Sequence, residues 1–284
     1  MKHKNPNAVI YIPDNKPVEE ALERTTHLGI AAHPGDLEIM AYHGILNCFQ
    51  QPEAWFGGVI CANGSGCPRS GPYTQYSDNI MRITRQQEQR AAAVIGQYGF
   101  IAQLGYKSDD IKDSDKHMLT AELKALLQAT HPSMLYTHSP SDKHETHIAT
   151  LAAVIDAIRE LPHQERPQAV YGCEQWRDLD WLLEDDKIAM DVSGHENLAA
   201  ALLGVFDSQI AGGKSYDVAT LGRRRANATY YESHTVDETD ELCFGVDLTP
   251  LVHNDNLDIV EYVEALMEHF RKDVTTRLER HFNI

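Results

Sequence analysis

Two short stretches of this chain carry side chains that could hold one cation between them. His33-Pro34-Gly35-Asp36-Leu37-Glu38 follows an apolar run and precedes an apolar pattern at helical spacing. A neutral imidazole and a carboxylate three residues apart at a strand-to-helix turn can point at a single ion, and a mixed nitrogen and oxygen set suits zinc better than calcium or magnesium. His144-Glu145-Thr146-His147 follows a second apolar run, Met134-Leu135-Tyr136, and opens a second helix-like pattern. A histidine in the first turn of a helix is usually an ordinary polar or packing residue when it stands alone. Together, His33, Asp36 and His147 make a two-histidine, one-carboxylate set with a fourth position open, which is the composition of catalytic rather than structural zinc. Zinc held there would bring a water's pKa close to neutrality and polarise a carbonyl oxygen. The two histidines of the second stretch are three apart, not four as in the metalloprotease signature. They still share a helix face, so one can bind metal while the other donates a hydrogen bond or a proton to the reacting group.

The elements that must position these residues follow a regular rhythm. His27–Ala32 reads as a buried strand and Leu37–Phe49 as a helix; Trp55–Ala62 is a second strand, followed by a turn-rich loop from Asn63 to about Ser77. Loops of that length are usually lids, binding loops or mobile segments. A helix over Ile80–Tyr98, a strand over Phe100–Leu104, a helix over Leu119–Ala129, a strand over Met134–Thr137 and a helix over His144–Leu161 come next. Further strands are expected at Ala169–Gly172 and Ile188–Val192, a helix over Leu198–Ile210, and a long amphipathic helix over Ile259–Phe282. Alternation of this kind predicts an α/β, Rossmann-like fold, a mostly parallel β-sheet covered by helices on both faces. Ligands in such sheets gather at the carboxyl ends of the strands, which puts both histidine stretches on one edge. Residues 1–26, with a β-like patch at Val9–Ile12, read as an N-terminal extension of a single domain spanning 1–284 that ends in a helix over about 256–282.

Composition narrows the partners. A formal charge of −17 over 284 residues repels nucleic-acid backbones and anionic membrane surfaces, leaving a small neutral or cationic molecule as the expected ligand. Homo-oligomers are compatible with this. The five cysteines form no CxxC pair, so neither a disulfide framework nor a thiolate zinc site is indicated, and a reducing compartment fits. The N-terminus is too polar for a signal-peptide core and no run of about eighteen apolar residues occurs, so the chain is expected in the cytoplasm. No GxGxxG or GxxxxGK[ST] phosphate loop follows an expected strand, which weakens a nucleotide-binding reading. Arg223-Arg224-Arg225 reads as a solvated surface turn, and Cys173 as inert packing.

The two motifs in this order resemble those of the PIG-L/LmbE family of zinc-dependent N-acetylglucosaminyl deacetylases, whose first motif reads His-Pro-Asp-Asp-x-Glu and whose second reads His-Pro-Asp-His. Residues 33–38 and 144–147 fall in the corresponding turns, and Asp142-Lys143 is similar to the Asp-Arg often found before the second. Weaker echoes are Arg85-x-x-Glu88, Leu104-Gly105-Tyr106, Met190-Asp191-Val192, Phe206-Asp207-Ser208-Gln209 and Tyr231-Glu232, so the likeness spans roughly residues 27 to 235. The resemblance implies an LmbE-like fold and a zinc cofactor held by His33, Asp36 and His147. It also implies hydrolysis of an acetyl or other acyl group from an N-acyl amino sugar or glycoconjugate. His144 would stabilise the oxyanion or protonate the leaving amine, and Arg85 would hold a sugar hydroxyl or, on the plainer reading, pair with Glu88. Trp176, in the aromatic and charged segment 172–181, either lines the sugar pocket or staples its loop together with Trp181.

The sequence departs from the family at the position of the general base, where Gly35 stands for the first Asp of the pair. Thr146 likewise replaces the acid between the paired histidines. General-base assistance contributes about 10²–10⁴-fold in rate, and glycine supplies none. Either a neighbour such as Glu145, Asp142 or His144 acts as base, or the protein is a metal- and sugar-binding relative with weak or no turnover, or the position has been altered.

Overall fold

The computed structural model describes residues 5–113 and 117–282; Met1–Lys4 of the N-terminal extension lie outside them. In chain order the elements are β1 (Val9–Tyr11), α1 (Val18–Glu23), β2 (His27–Ala31), α2 (Asp36–Met40), α3 (Tyr42–Cys48), β3 (Phe56–Ala62), α4 (Asp78–Ile95), β4 (Phe100–Tyr106), α5 (Ser108–Lys112), α6 (His117–Thr130), β5 (Met134–His138) and α7 (Glu145–Arg159). They continue with β6 (Ala169–Cys173), β7 (Ile188–Asp191), α8 (Glu196–Gly204), α9 (Asp207–Ile210), α10 (Tyr216–Tyr231), β8 (Leu242–Asp247), α11 (Thr249–His253) and α12 (Ile259–Phe282).

Eight strands form one sheet in the order β1-β4-β3-β2-β5-β6-β8-β7. The inner five, β4-β3-β2-β5-β6, are parallel, as their nearly continuous apolar sequences demand: all seven residues of β3 are buried, which only a strand covered on both faces allows. The edges are antiparallel, β1 on β4 and β8 between β6 and β7. From β2 the chain winds outward through β3 to β4, then returns to β5 and winds the other way to β6. The order therefore reverses between β2 and β5, and the loops leaving these two neighbours diverge to opposite faces and leave a crevice.

Each face has its own apolar layer. One holds Leu123 and Leu127 of α6 and Leu151, Val154 and Ile158 of α7 against Leu28, Ile30 and Leu135. The other holds Leu37, Met40 and Ile45 of α2 and α3 and Leu202 of α8 against Ile60 and Ile101. Helix α7 packs closely because alanines 149, 153 and 157 alternate with the larger apolar residues on its buried face. Replacing Leu151 there by alanine would cost about 2–5 kcal/mol.

Several expectations are corrected. The stretch read as one helix over Leu37–Phe49 is two, broken at Ala41 (φ −105°, ψ 18°), and Leu198–Ile210 is likewise α8 and α9. Neither β8 nor α10 stood out in the sequence, β8 because it is a lone apolar run between polar segments, α10 because its arginines, glycine and asparagine blur the apolar period. The N-terminal extension joins the body: β1 pairs with β4, and Ala21 and Leu22 of α1 enter the core. The loop after β3 is pinned, with the Tyr73 hydroxyl donating to Asp207 Oδ2 (2.5 Å) and Ser70 Oγ to the Ala211 carbonyl (3.4 Å). All five cysteines are free thiols, and burial pushes the Cys173 thiol up well above its ordinary range. No helix among the described residues is long and apolar enough to cross a membrane.

Candidate metal centre

The crevice between β2 and β5 brings His33, Asp36 and His147 together. His33 leaves the end of β2, Asp36 is the first residue of α2, and His147 sits in the first turn of α7. Three atoms face one point: His33 Nδ1 lies 3.3 Å from Asp36 Oδ2 and 3.2 Å from His147 Nε2, and the last two are 3.3 Å apart. Donors on zinc at about 2.0–2.2 Å in tetrahedral geometry stand about 3.3–3.6 Å from one another, so the triangle has the size that such an ion requires. The side chains of Asp36 and His147 are 7% and 1% exposed and that of His33 17%, leaving the His33 side open.

Each donor is held from behind. Asp142 Oδ2 lies 3.2 Å from His147 Nδ1; a carboxylate only accepts, so the proton is on Nδ1 and Nε2 turns to the triangle, the usual support for a metal-binding histidine. Asp36 Oδ2 also accepts the His33 backbone N–H (2.7 Å), and Oδ1 accepts Gln175 Nε2 (2.5 Å). Burial alone would raise the Asp36 carboxyl, but His147 and His33 hold it well below the usual range. Burial opposes charge on His147, yet Asp36 and Asp142 push its pKa up to about 9. A cation at the triangle takes the place of that extra proton.

His144, at the start of α7, closes the open side. Its ring stacks on His147 with centroids 4.5 Å apart, meets His33 edge-on at 5.0 Å, and faces Trp176 at 6.2 Å. The Asp142 Oδ1 atom accepts the His144 N–H (3.0 Å) and fixes its approach. Burial, then the neighbouring His147 and His33, lower its pKa to about 4, so at neutral pH His144 is uncharged and able to accept a proton. Asp142 is turned toward His147 with a side chain shut off from solvent, which removes it from the open face. Glu145 is exposed and, among the described residues, makes no hydrogen bond or ion pair with the cluster.

Gly35 adopts φ +93°, a left-handed conformation that side chains rarely take. A Cβ there would stand 2.6 Å from Gln209 Oε1, so the carboxamide of Gln209 occupies the direction in which an acid would project. The turn itself is secured from below: Gln89 Oε1 accepts the Gly35 N–H (3.0 Å), Gln89 Nε2 donates to Glu38 Oε1 (2.8 Å), and the Tyr98 hydroxyl donates to the same oxygen (2.8 Å). Burial raises the Glu38 carboxyl to about 7, against these hydrogen bonds.

Arg85 is 3% exposed and its Nε has no hydrogen-bond partner among the described residues. Glu88, the pairing partner its spacing offered, instead accepts both the N–H and the hydroxyl of Ser208 (2.7 and 2.6 Å). Trp176 lies between His144 and a cavity of about 170 Å³ lined by Gln175, Tyr216, Thr220 and Arg223 among others. The arginine triplet is not a surface turn. On α10 its members point three ways: Arg223 to the Gln175 carbonyl, Arg224, 2% exposed, to the Glu38 carbonyl (2.8 Å) and over Tyr42, and Arg225 to Glu196 (2.7 Å).

His138 was not foreseen. It ends β5, is fully buried, stacks on His147 at 3.9 Å, and forms a second potential donor group with Asp36 and His147. Its Nε2 accepts the Ala32 N–H (2.9 Å), which commits that lone pair and makes it a wedge between β2 and β5 rather than a ligand. Its place at the carboxyl end of a strand was the signal available in the sequence.

The fold and this corner define a Rossmann-like α/β domain with a histidine and aspartate donor cluster at its switch point. Residues 28–158 match the PIG-L family model, described as GlcNAc-PI de-N-acetylase. A search of curated proteins gives no match. Among solved structures it is similar to the conserved protein TT1542 from Thermus thermophilus (TM-score 0.60, 17% identity, 82% of this chain and 99% of that one). It is also similar to GalB, the 4-carboxy-2-hydroxymuconate hydratase from Pseudomonas putida (0.60, 17%, 78% and 95%), and to the N,N'-diacetylchitobiose deacetylase from Pyrococcus horikoshii (0.58, 16%, 78% and 83%). At these identities the likeness concerns the fold.

Proposed function

We propose that the protein is a zinc-dependent amidohydrolase that removes an acetyl or related acyl group from an N-acyl amino sugar or glycoconjugate. The observation that carries this reading is the donor triangle of His33, Asp36 and His147 with the His144 ring on its open side. Zinc bound there would supply Lewis acidity, polarising the amide carbonyl and acidifying a water. His144 accepts the proton of the attacking water and returns it to the departing amine nitrogen, so that one group serves as base and then acid. Of the three candidates for the missing base it alone faces the open side. Arg85, whose Nε has no hydrogen-bond partner among the described residues, offers a donor for a sugar hydroxyl, and Trp176 presents an indole face to the apolar C–H side of a ring, with the cavity beyond it for the rest of the substrate. The PIG-L match and the chitobiose deacetylase among the fold relatives support the reaction class.

A second reading is favoured by Gly35 and Gln209. With a carboxamide where the family places its acid, the site binds metal and sugar but turns over weakly or not at all. The hydratase among the fold relatives is a reminder that the fold does not fix the reaction. Metal analysis combined with acetate release from a panel of N-acetylglucosamine conjugates separates the two. Stoichiometric zinc with acetate release that His144→Ala abolishes is expected; stoichiometric zinc and saturable sugar binding without acetate release would establish the second reading instead.

A further inference from the structure

Helix α12 carries two apolar stripes, and the body of the protein covers one. Ile259, Tyr262 and Leu266 pack against the core, and His269 reaches Asp186 (2.9 Å). On the adjacent face Val260, Met267, Phe270, Val274, Leu278 and Phe282 are exposed, Val260 by 60% and Phe282 by 69%. No described residue of the helix after Leu266 is buried. Positions 260, 263, 267, 270 and 274 are all apolar and repeat in steps of three and four, the seam spacing of paired helices. The sixteen residues from Met267 to Phe282 would extend about 24 Å, a length at which an unpartnered helix is marginal in water.

The charges beside the stripe are segregated along the helix. Between residues 259 and 270 stand Glu261, Glu264 and Glu268 with no lysine or arginine; between 271 and 282 stand Arg271, Lys272, Arg277 and Arg280 against Asp273 and Glu279. The first half is net −3 and the second net +2. Within the helix, Glu268 pairs with Arg271 and Lys272, and Asp273 with Arg277, all at the surface, where such pairs are weak and screened by salt. A parallel partner of the same sequence would set acid beside acid and base beside base. An antiparallel one lays the acidic half of each helix along the basic half of the other.

We propose that α12 is a self-association element, and that its partner is the α12 of a second copy of this chain, packed antiparallel along the exposed seam. A membrane surface is a poorer occupant, because an interfacial helix carries its basic residues along the whole polar face, and here half of that face is acidic on a chain of net charge −17. None of the residues of the metal centre lies on this helix, so the pairing can be broken without touching the site.

The test is sedimentation velocity on the full chain from low to high micromolar concentration. The expected species has twice the 31.9 kDa chain mass, and the double variant Met267→Glu, Phe270→Glu sediments as the monomer while keeping its circular dichroism and zinc content. Orientation is read by oxidative cross-linking in a Cys67→Ser background, since Cys67 is the partly exposed native thiol. A mixture of Val260→Cys and Leu278→Cys chains should cross-link between the two variants, and Val260→Cys chains should not cross-link to themselves. The proposal is overturned by a monomer at every concentration, by a dimer that survives the double variant, by Val260→Cys self-linking, or by a monomer that co-sediments with phosphatidylserine vesicles through this face.

Discussion

The donor triangle and the Gly35 turn meet at the loop between β2 and α2 and are built in opposite ways. At the triangle every side chain is fixed twice: His147 by Asp142 behind it and Asp36 before it, Asp36 by the His33 N–H and Gln175, His33 by its two neighbours. At residue 35 only the backbone is fixed, through Gln89, and the side-chain space holds Gln209. The groups that could hold an ion and the position that could carry a proton acceptor are thus separable here. A chain can keep a donor geometry fit for an ion with no acid at residue 35, because the two depend on different hydrogen bonds.

The largest expected effect breaks the ordered side. His147→Ala leaves Asp36 and Asp142 buried without their shared partner, which should cost about 3–5 kcal/mol of stability and reduce zinc, measured by plasma mass spectrometry, to near zero. Retained stoichiometric zinc would show that the triangle is not the binding site. His144→Ala should keep zinc and lose about 10²–10⁴-fold in turnover; a matching loss of zinc would make His144 a ligand and erase the contrast. Asp142→Asn should weaken zinc about 10–100-fold, read by chelator competition, because His147 loses its orienting acceptor.

The glycine side is sharpened by Gly35→Asp. Alone it should lower stability by about 1–2 kcal/mol, since aspartate must accept φ +93° and displace Gln209. Combined with Gln209→Ala, part of that loss should return, and a rise in acetate release confined to the double variant would show that the base position can be refilled. An unchanged rate in both would leave His144 as the proton acceptor.

The smallest effect lies outside both regions. Burial and the neighbouring His27 lower the pKa of His43 to about 4, below its ordinary 6.5, and its Nδ1 pairs with the Tyr136 hydroxyl at 3.0 Å. The unfolded chain therefore binds this proton first, so the stability of neutral His43 is complete above about pH 6.5 and falls toward pH 4, by at most about 1.4 kcal/mol per pH unit. His43→Asn should flatten that part of a melting-temperature profile, and an unchanged slope would assign the acid sensitivity to other groups.

Much of the frame was legible in sequence because the parallel core advertises itself. Strands buried on both faces must be largely apolar: β3 is so throughout, and β2, β4 and β5 are interrupted only by His27, Gln103 and Thr137–His138. The antiparallel strand β8, between β6 and β7, escaped notice because one apolar run between polar segments has no repeat to mark it. Helix breaks at Ala41 and after Gly204 were invisible for a related reason, since the apolar period survives a short interruption. In the site, His33, Asp36, His144 and His147 were legible from type and spacing. Gln89, Gln175, Gln209 and His138 were not, because a glutamine or a strand-end histidine becomes meaningful only when its distant partner is known.

The sequence by itself determined which chemistry was available: two histidine-bearing turns after apolar strands, an acid three residues after the first histidine, and a glycine between them. Tertiary structure decided how that chemistry is arranged. The reversal of strand order between β2 and β5 fixes a triangle with edges near 3.3 Å, turns Asp142 inward and Glu145 outward, and delivers Gln209 from more than 170 residues away to the side of Gly35. Spacing along a chain sets which groups share a local turn, whereas distances across a sheet edge are set by strand register and packing, which no local pattern encodes.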